Sequence, residues 1–547
     1  MAAVTPLDPI EADVASALFD IAPTWAVQLG RHDFDGRLPD YSRAATGPWA
    51  VRARSLLDRL AAVDDAVLTP DRRVDRFLLR LALEGNLFDL EEARKLDTNP
   101  MTYLSVLSLS PYITREYAPL ETRMEAVARL LRAAPGLLAT GRQRLQGPLP
   151  KPFVELTVSI GRGLPSHFEE AEKYAAARGA GAPVAEARAV AEVALASFLV
   201  WLHEEELPRA VPDFALGAER YQRLLYVREG IEAPFADVKK AGLADLARNH
   251  ARLAEIAAKE RAPISAVITR LEHDLPVPEK ILDEAGALVE ETRSFVAEHE
   301  LATIPEPTHC RVEETPAWGR ATTTASMDQP GPFDAGSAEG IYYVTTVDPT
   351  WTEAQRREWL RSLSRPMLRN ITVHEVYPGH YLQALHLRLH PLSLARKVCY
   401  SPSFVEGWAH YTEQLAIEAG LGKGSDAAEV AQIVDALLRD CRLLASVGLH
   451  TEGRSVEWAT KLFETEAFLD PLPAQREALR GTFDPEYFCY TLGKLAILDV
   501  RHRHLAARFG GSLRAFHDAV LSFGCPPVGL LDGLLGALPT PAAGSVP

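Results

Sequence analysis

One short run, Ile341-Tyr-Tyr-Val-Thr-Thr-Val347, is the best strand candidate in this chain of 547 residues, and helical periodicity surrounds it. Its residues are β-branched or aromatic, the types that suit a pleated strand. Residues 1–300 read as almost entirely helical. Thr-Pro-Asp-Arg-Arg (69–73) predicts a helix start, with a threonine N-cap and a proline at the first helical position. Val74, Phe77, Leu78, Leu81 and Leu83 then supply an apolar face. Similar patterns fill 119–146, 184–205, 240–260 and 278–299, and Gly-Ala-Gly-Ala-Pro (179–183) marks a turn between two of them. At about residue 302 the texture changes to Pro, Gly, Ser and Thr, which leads into the strand. Helical periodicity resumes at 352–359 and continues in blocks, interrupted at 469–473, 484–486 and 525–529. The pattern predicts a mainly α (α+β) fold with a small β-sheet. It also predicts two regions: an N-terminal helical region, 1–300, walling a cleft, and a region 301–547 carrying the sheet and the chemistry.

Charge narrows the partners. Lys and Arg number 58 against 74 Asp and Glu, a net charge of −16. Such an acidic balance argues against nucleic acid or an anionic membrane as the main partner. The five cysteines are odd in number, widely spaced and without a CxxC pair, so no disulfide framework is expected. The first residues carry no basic segment ahead of an apolar one, and no run approaches the roughly 18 apolar residues of a membrane span. A cytoplasmic location is the expectation.

A segment of metal-ligand character follows the strand: Ile371-Thr-Val-His-Glu-Val-Tyr-Pro-Gly-His-Tyr-Leu-Gln383. Hydrolytic zinc sites use three protein ligands and keep one position open for water. A carboxylate beside them takes a proton from that water. In the HExxH arrangement two histidines lie one helical turn apart, and the glutamate after the first is the base. Here His374 and His380 are six positions apart, about 600° and ~9 Å along a regular helix. A regular helix cannot turn both to one ion. Pro378 cannot donate to the His374 carbonyl, and its ring clashes with it. Gly379 permits a turn that other residues resist. Together they predict a break that swings His380 back toward His374. Downstream, Glu406, His410 and Glu413 fall on one helical face. Glu406 is the favoured third ligand, and Glu375 is the base. His410 is the rival ligand if the break fails to bring His380 round, and otherwise it and Glu413 stand behind the ligands and orient them. The expected cofactor is one Zn2+ per chain, although Mn or Co also suits such donors.

HEVYPGHYLQ followed by FVEGWAHYTEQL resembles the bacterial family known as domain of unknown function 885. The likeness extends to LGRHDFDGRLPDYS (29–42), GIYYVTTVDP (340–349), GLHTEG (448–453), YTLGKLAILDVR (490–501) and FHDAVLSFG (516–524). It implies a large helical metallopeptidase fold related to gluzincins, and more distantly to the carboxypeptidase Taq group. It implies His374, His380 and Glu406 as ligands and Glu375 as base. The chain departs from the family pattern at Ser446, where Asp is expected, and at Arg454, where Trp is expected.

Other residues have candidate parts. Tyr490 or His450 is expected to hydrogen-bond an oxyanion. Lys494 and Arg501, nearly on one face, suit a substrate carboxylate. Tyr342 and Tyr343 suit main-chain pairing with a peptide if their strand has a free edge. His386, His390 and His517 read as structural. The expected function is a zinc-dependent hydrolase cleaving peptide bonds in short peptides, with Glu375 as general base. One alternative is an amide hydrolase acting on a small metabolite, motivated by the altered GLHTEGR segment. Another is a non-catalytic helical scaffold that retains the metal site.

Overall fold

The computed structural model describes residues 5–316, 319–320, 323–334 and 339–538. The chain forms two compact units. The first comprises Met1–Arg220, Pro330–Ser337 and Ser393–Val398, and the second comprises Tyr221–Gln329, Ala338–Leu392 and Cys399–Pro547. The division falls at 220/221, not at 300 as the texture of the sequence predicts. Polar contacts are among those that join the helices between those positions to the metal-motif helices. Asn249 donates to Asp440 at 2.7 Å, and Arg365 grips Glu284 through two bonds of 2.8 and 2.9 Å.

The first unit is helical. As expected, the Thr69 side chain caps Arg72 N–H, and Pro70 opens the helix Pro70–Leu87. A buried ion cluster ties its separate pieces together. Arg72 reaches Glu11 at 2.8 Å and Asp75 at 2.7 Å, and Arg396 reaches Asp75 at 2.9 Å. Glu11 also accepts the Ala395 N–H at 2.6 Å. Buried charges persist when paired this closely.

In the second unit the elements that matter are α1 (Phe235–Lys259), α2 (Ile281–Glu298), β1 (Cys310–Glu314), β2 (Ala325–Asp328), β3 (Gly340–Val344), α3 (Arg365–Glu375), α4 (His380–Leu389), α5 (Pro402–Ala419), α6 (Asp426–Thr451) and α7 (Cys489–Phe509). The sheet order is β1-β3-β2. β3 runs parallel to β1, with Cys310 opposite Gly340, and antiparallel to β2, with Ala325 opposite Val344. β3 is buried throughout, and it ends at Val344, short of the predicted 347. The sheet sits against the motif helix: the Tyr342 hydroxyl lies 3.3 Å from Thr372 Oγ1 on α3. The fold is therefore mainly α with a small three-stranded sheet. No helix among the described residues is long and apolar enough to cross a membrane.

Candidate metal centre

The break between α3 and α4 follows from Pro378 and Gly379. α3 stops at Glu375, and Val376 leaves helical geometry with φ −114° and ψ −82°. A Cβ placed on Gly379 would lie 1.8 Å from the His374 carbonyl oxygen, so only glycine lets the chain fold back this tightly. Trp408 of α5 pins the turn by donating its indole N–H to the Pro378 carbonyl at 2.8 Å. α4 then restarts at His380. The rings of His374 and His380 end with centroids 4.8 Å apart and planes at 85°.

α5 supplies the third group. Its N-terminus is held by the Ser401 side chain on Phe404 N–H, and by buried Glu229, which accepts from the Ser401 hydroxyl and the Ser403 N–H. α5 then packs on α7 with no side chains between: a Cβ on Gly407 would lie 2.3 Å from Gly493 Cα. Glu406 precedes that contact. Its Oε2 lies 3.5 Å from His374 Nε2 and 3.5 Å from His380 Nε2. Among the described residues, these three form the group of His, Cys, Asp and Glu with donor atoms close enough to share an ion, all within 4.8 Å.

The donor set fits zinc. Two ligand atoms each ~2.05 Å from a tetrahedral ion are about 3.3 Å apart, close to the 3.5 Å observed here. The charge also fits. Burial opposes a proton on His374, yet hydrogen bonds to Glu406 and Glu413 outweigh it and hold the imidazole at about 9. Burial raises Glu406, but the two histidines overrule it and hold the carboxyl well below its ordinary value. The cluster draws positive charge to the point where the three donors meet.

A buried network orients the first histidine. Glu413, fully buried, accepts from His374 Nδ1 at 2.7 Å. The same carboxylate receives His410 Nδ1 at 3.2 Å, Arg439 at 3.2 Å and Asn370 at 3.3 Å. Asn370 also donates to Asp435 at 2.7 Å. Such contacts fix which ring nitrogen carries the proton and leave Nε2 as the donor for an ion. His410 itself stays neutral, held well below its ordinary value by burial and then by the Lys494 charge. His410 thus stands behind Glu413 rather than with the three donors.

Glu375 closes α3 and stays partly exposed beside the cluster. Burial raises its carboxyl pKa, the charges of His374 and His380 work the other way, and Glu406 adds to the rise. The Tyr490 phenol is raised by burial and then by Glu406, and its ring lies under the guanidinium groups of Arg442 at 5.1 Å and Arg439 at 5.7 Å.

Five sequence expectations need correction. His450 is buried, with Nε2 on the Gly481 carbonyl at 2.9 Å. Desolvation, partly offset by that bond, leaves it neutral down to about 4. It therefore serves the packing of α6 rather than an oxyanion. Lys494 is fully buried and paired with Asp245 of α1 at 2.5 Å, so no substrate carboxylate reaches it. Arg501 pairs with Glu418 at 2.7 Å and covers the Tyr411 ring. Tyr342 and Tyr343 lie on the central strand, which is paired on both sides and offers no free edge for a peptide. Of the altered residues in the GLHTEGR segment, Ser446 is buried between Tyr221 and the Pro485 carbonyl, and Arg454 lies over Trp458. Neither position argues for an unusual substrate. His386, His390 and His517 contact protein partners, His517 joining Tyr411 to the Leu301 carbonyl.

The sequence reading missed Arg439, Asn370, Asp435 and Glu229. Their weak signal was polarity on otherwise buried helical faces. Asn370 lies one helical turn before His374, which is the spacing of residues that share a face.

No curated protein matches the chain. A solved structure from Shewanella oneidensis, described as a "putative lipoprotein of unknown function", is 23% identical, with a TM-score of 0.79 over 97% of this chain and 100% of that one. Another from Colwellia psychrerythraea, described as a "putative lipoprotein", is 18% identical, with a TM-score of 0.81 over 98% and 99%. Both likenesses are of fold. The family described as "Bacterial protein of unknown function (DUF885)" matches residues 23–535, and the chain belongs to that family.

Proposed function

We propose that the protein is a zinc-dependent hydrolase that cleaves the amide bond of short peptides. The observation that carries this reading is the meeting of His374 Nε2, His380 Nε2 and Glu406 Oε2 beside a partly exposed Glu375. Zinc bound by those three residues supplies Lewis acidity, polarising a carbonyl and acidifying a water. Glu375 takes the proton from the attacking water at its carboxylate and delivers it to the leaving nitrogen. The upward displacement of its pKa suits a base that must also act as an acid. Tyr490, kept protonated by burial and by Glu406, donates its O–H to the oxygen that gains charge. Glu413 and Arg439 hold the His374 ring in place throughout. The histidines are buried and Glu406 is only partly exposed. That suits an extended short peptide rather than a folded chain.

The test is zinc content by mass spectrometry on wild type, His374→Ala and Glu406→Ala, with peptide hydrolysis on the same samples. About one zinc per wild-type chain, lost with activity in both variants, supports the reading. Wild type without zinc, or zinc unchanged in both variants, sinks it.

A further inference from the structure

The fold keeps a buried carboxylate that the proposed chemistry does not use. Glu229 ends the helix Ala218–Glu229 and is fully buried. Its Oε2 accepts from the Ser401 hydroxyl, and its Oε1 accepts from the Ser403 N–H at 3.1 Å. Among the described residues no cation pairs with it. A carboxylate buried without a cation is costly. What favours its charge here is the pair of donors it meets.

Those donors belong to the first turn of α5, where Ser401 is the N-cap and Ser403 the second helical residue. The Ser401 hydroxyl is used in both directions: it accepts from the Phe404 N–H at 3.0 Å and donates to Glu229. Each carboxylate oxygen therefore faces a donor. A protonated acid or an amide would set its own O–H or N–H at one of the two positions, where a donor already stands. Glu406 lies one turn further on, and in a regular helix its amide bonds to the Pro402 carbonyl. What holds the first turn holds the ligand.

Resting on the metal site of the hydrolase reading, we infer that ionised Glu229 is a positioning residue for Glu406: by accepting at both oxygens it seats the first turn of α5, and it releases that turn when it takes up a proton. The groups around it set where that happens. Burial pushes the Glu229 carboxyl up to about 7; the Ser401 and Ser403 bonds work the other way, and Glu486 adds to the rise. Glu486 lies on the turn Pro485–Phe488 that leads into α7, and it pairs at 3.0 Å with Arg228, the neighbour of Glu229 on its own helix. Cys489, which opens α7, and Cys525, whose carbonyl takes the Ser401 N–H at 2.9 Å, are thiols kept protonated by burial. Of these groups, Glu229 is the one that changes charge near neutral pH.

The test is zinc affinity by chelator competition on full-length wild type, Glu229→Gln and Ser401→Ala at pH 6, 7 and 8, with thermal unfolding of each. Taking the ratio of wild type to variant at each pH cancels the titration of the histidine ligands, which all three proteins share. Glu229→Gln is expected to bind zinc within about twofold of wild type at pH 6 and on the order of 10-fold more weakly at pH 8. Ser401→Ala keeps the carboxylate and removes one of its donors. Its loss should also grow with pH, and it carries the test where Glu229→Gln does not fold. A loss that is the same at all three pH values overturns the inference in favour of a purely structural cap, and equal affinities throughout overturn it outright. Both results leave the hydrolase reading standing. A wild type that takes up no zinc at any of these pH values overturns both.

Discussion

Replacing Gly407 by alanine tests how the site is held together. A Cβ at this position would lie 2.3 Å from Gly493 Cα and 2.5 Å from Gly493 C. Carbon atoms in contact sit about 3.5–4.0 Å apart, so α5 and α7 must separate by at least ~1.2 Å. Alanine gains up to ~1 kcal/mol of helix propensity over glycine, while overpacking of this kind costs about 1–3 kcal/mol. The net expectation is a lower Tm. The effect on the site is larger than on the fold. Position 407 follows Glu406 on α5, and α7 carries Tyr490, so whichever helix yields displaces a functional group. Metal–ligand distances tolerate only about 0.2 Å. Zinc affinity or peptide turnover should therefore fall on the order of 10-fold or more. Gly286 of α2 is the control, since a Cβ there meets nothing within 4 Å. Gly286→Ala should raise stability by roughly 0.5–1 kcal/mol and leave zinc untouched. The assay is thermal unfolding with and without chelator, together with chelator competition for zinc. Gly407→Ala with a Tm, zinc affinity and turnover equal to wild type would refute the reasoning.

Three further outcomes follow from the same structure. Glu413→Ala should weaken zinc binding roughly 10- to 100-fold, read by chelator competition; undiminished affinity would remove Glu413 from its orienting role. Lys494→Met takes from buried Asp245 one of its two cations and leaves it Arg248, and removal of a buried partner costs up to about 3–5 kcal/mol; a variant of normal Tm with a raised KM for peptides would instead restore Lys494 to the substrate. His32 lies between Asp35 and Asp334, each at 3.1 Å. Burial opposes its charge, but the two carboxylates outweigh it and hold it at about 9 against an ordinary 6.5. Because the folded value is the higher one, the proton adds up to about 3 kcal/mol of stability below pH ~6.5, and this is lost as pH rises through about 9. Thermal unfolding from pH 6 to 10 should show that loss in wild type and not in His32→Gln; parallel curves would refute it.

The break between α3 and α4 was legible because Pro378 and Gly379 act locally, on the backbone of the residues beside them. Helix starts such as Thr69-Pro70 were legible for the same reason. What was not legible depended on distant partners. Lys494 looks like a surface lysine until Asp245, about 250 residues earlier, arrives against it. Tyr342 and Tyr343 looked available to a peptide because β1 and β2, Cys-Arg-Val-Glu-Glu and Ala-Ser-Met-Asp, are only 5 and 4 residues long, too short for their alternation of apolar and polar residues to stand out. Their pairing to both sides of β3 is a tertiary fact. His450 was misread because a histidine in a motif looks the same whether its partner is a substrate or a backbone carbonyl. Glu406 and Glu413 share a helical face in the sequence, but only the folded chain separates the residue that meets the histidines from the one that steadies them.

The ion cluster of Glu11, Arg72, Asp75 and Arg396 has a consequence for synthesis on the ribosome. The first unit needs chain as late as Val398, so residues 1–220 alone give Asp75 only Arg72 and lack its second guanidinium, Arg396. At 5–20 residues per second, about 180 further residues take on the order of 10–40 s to appear. For that interval Arg72 alone serves Glu11 and Asp75, and the cluster can be completed only after the strand β3 and the helices α3 and α4 have been made.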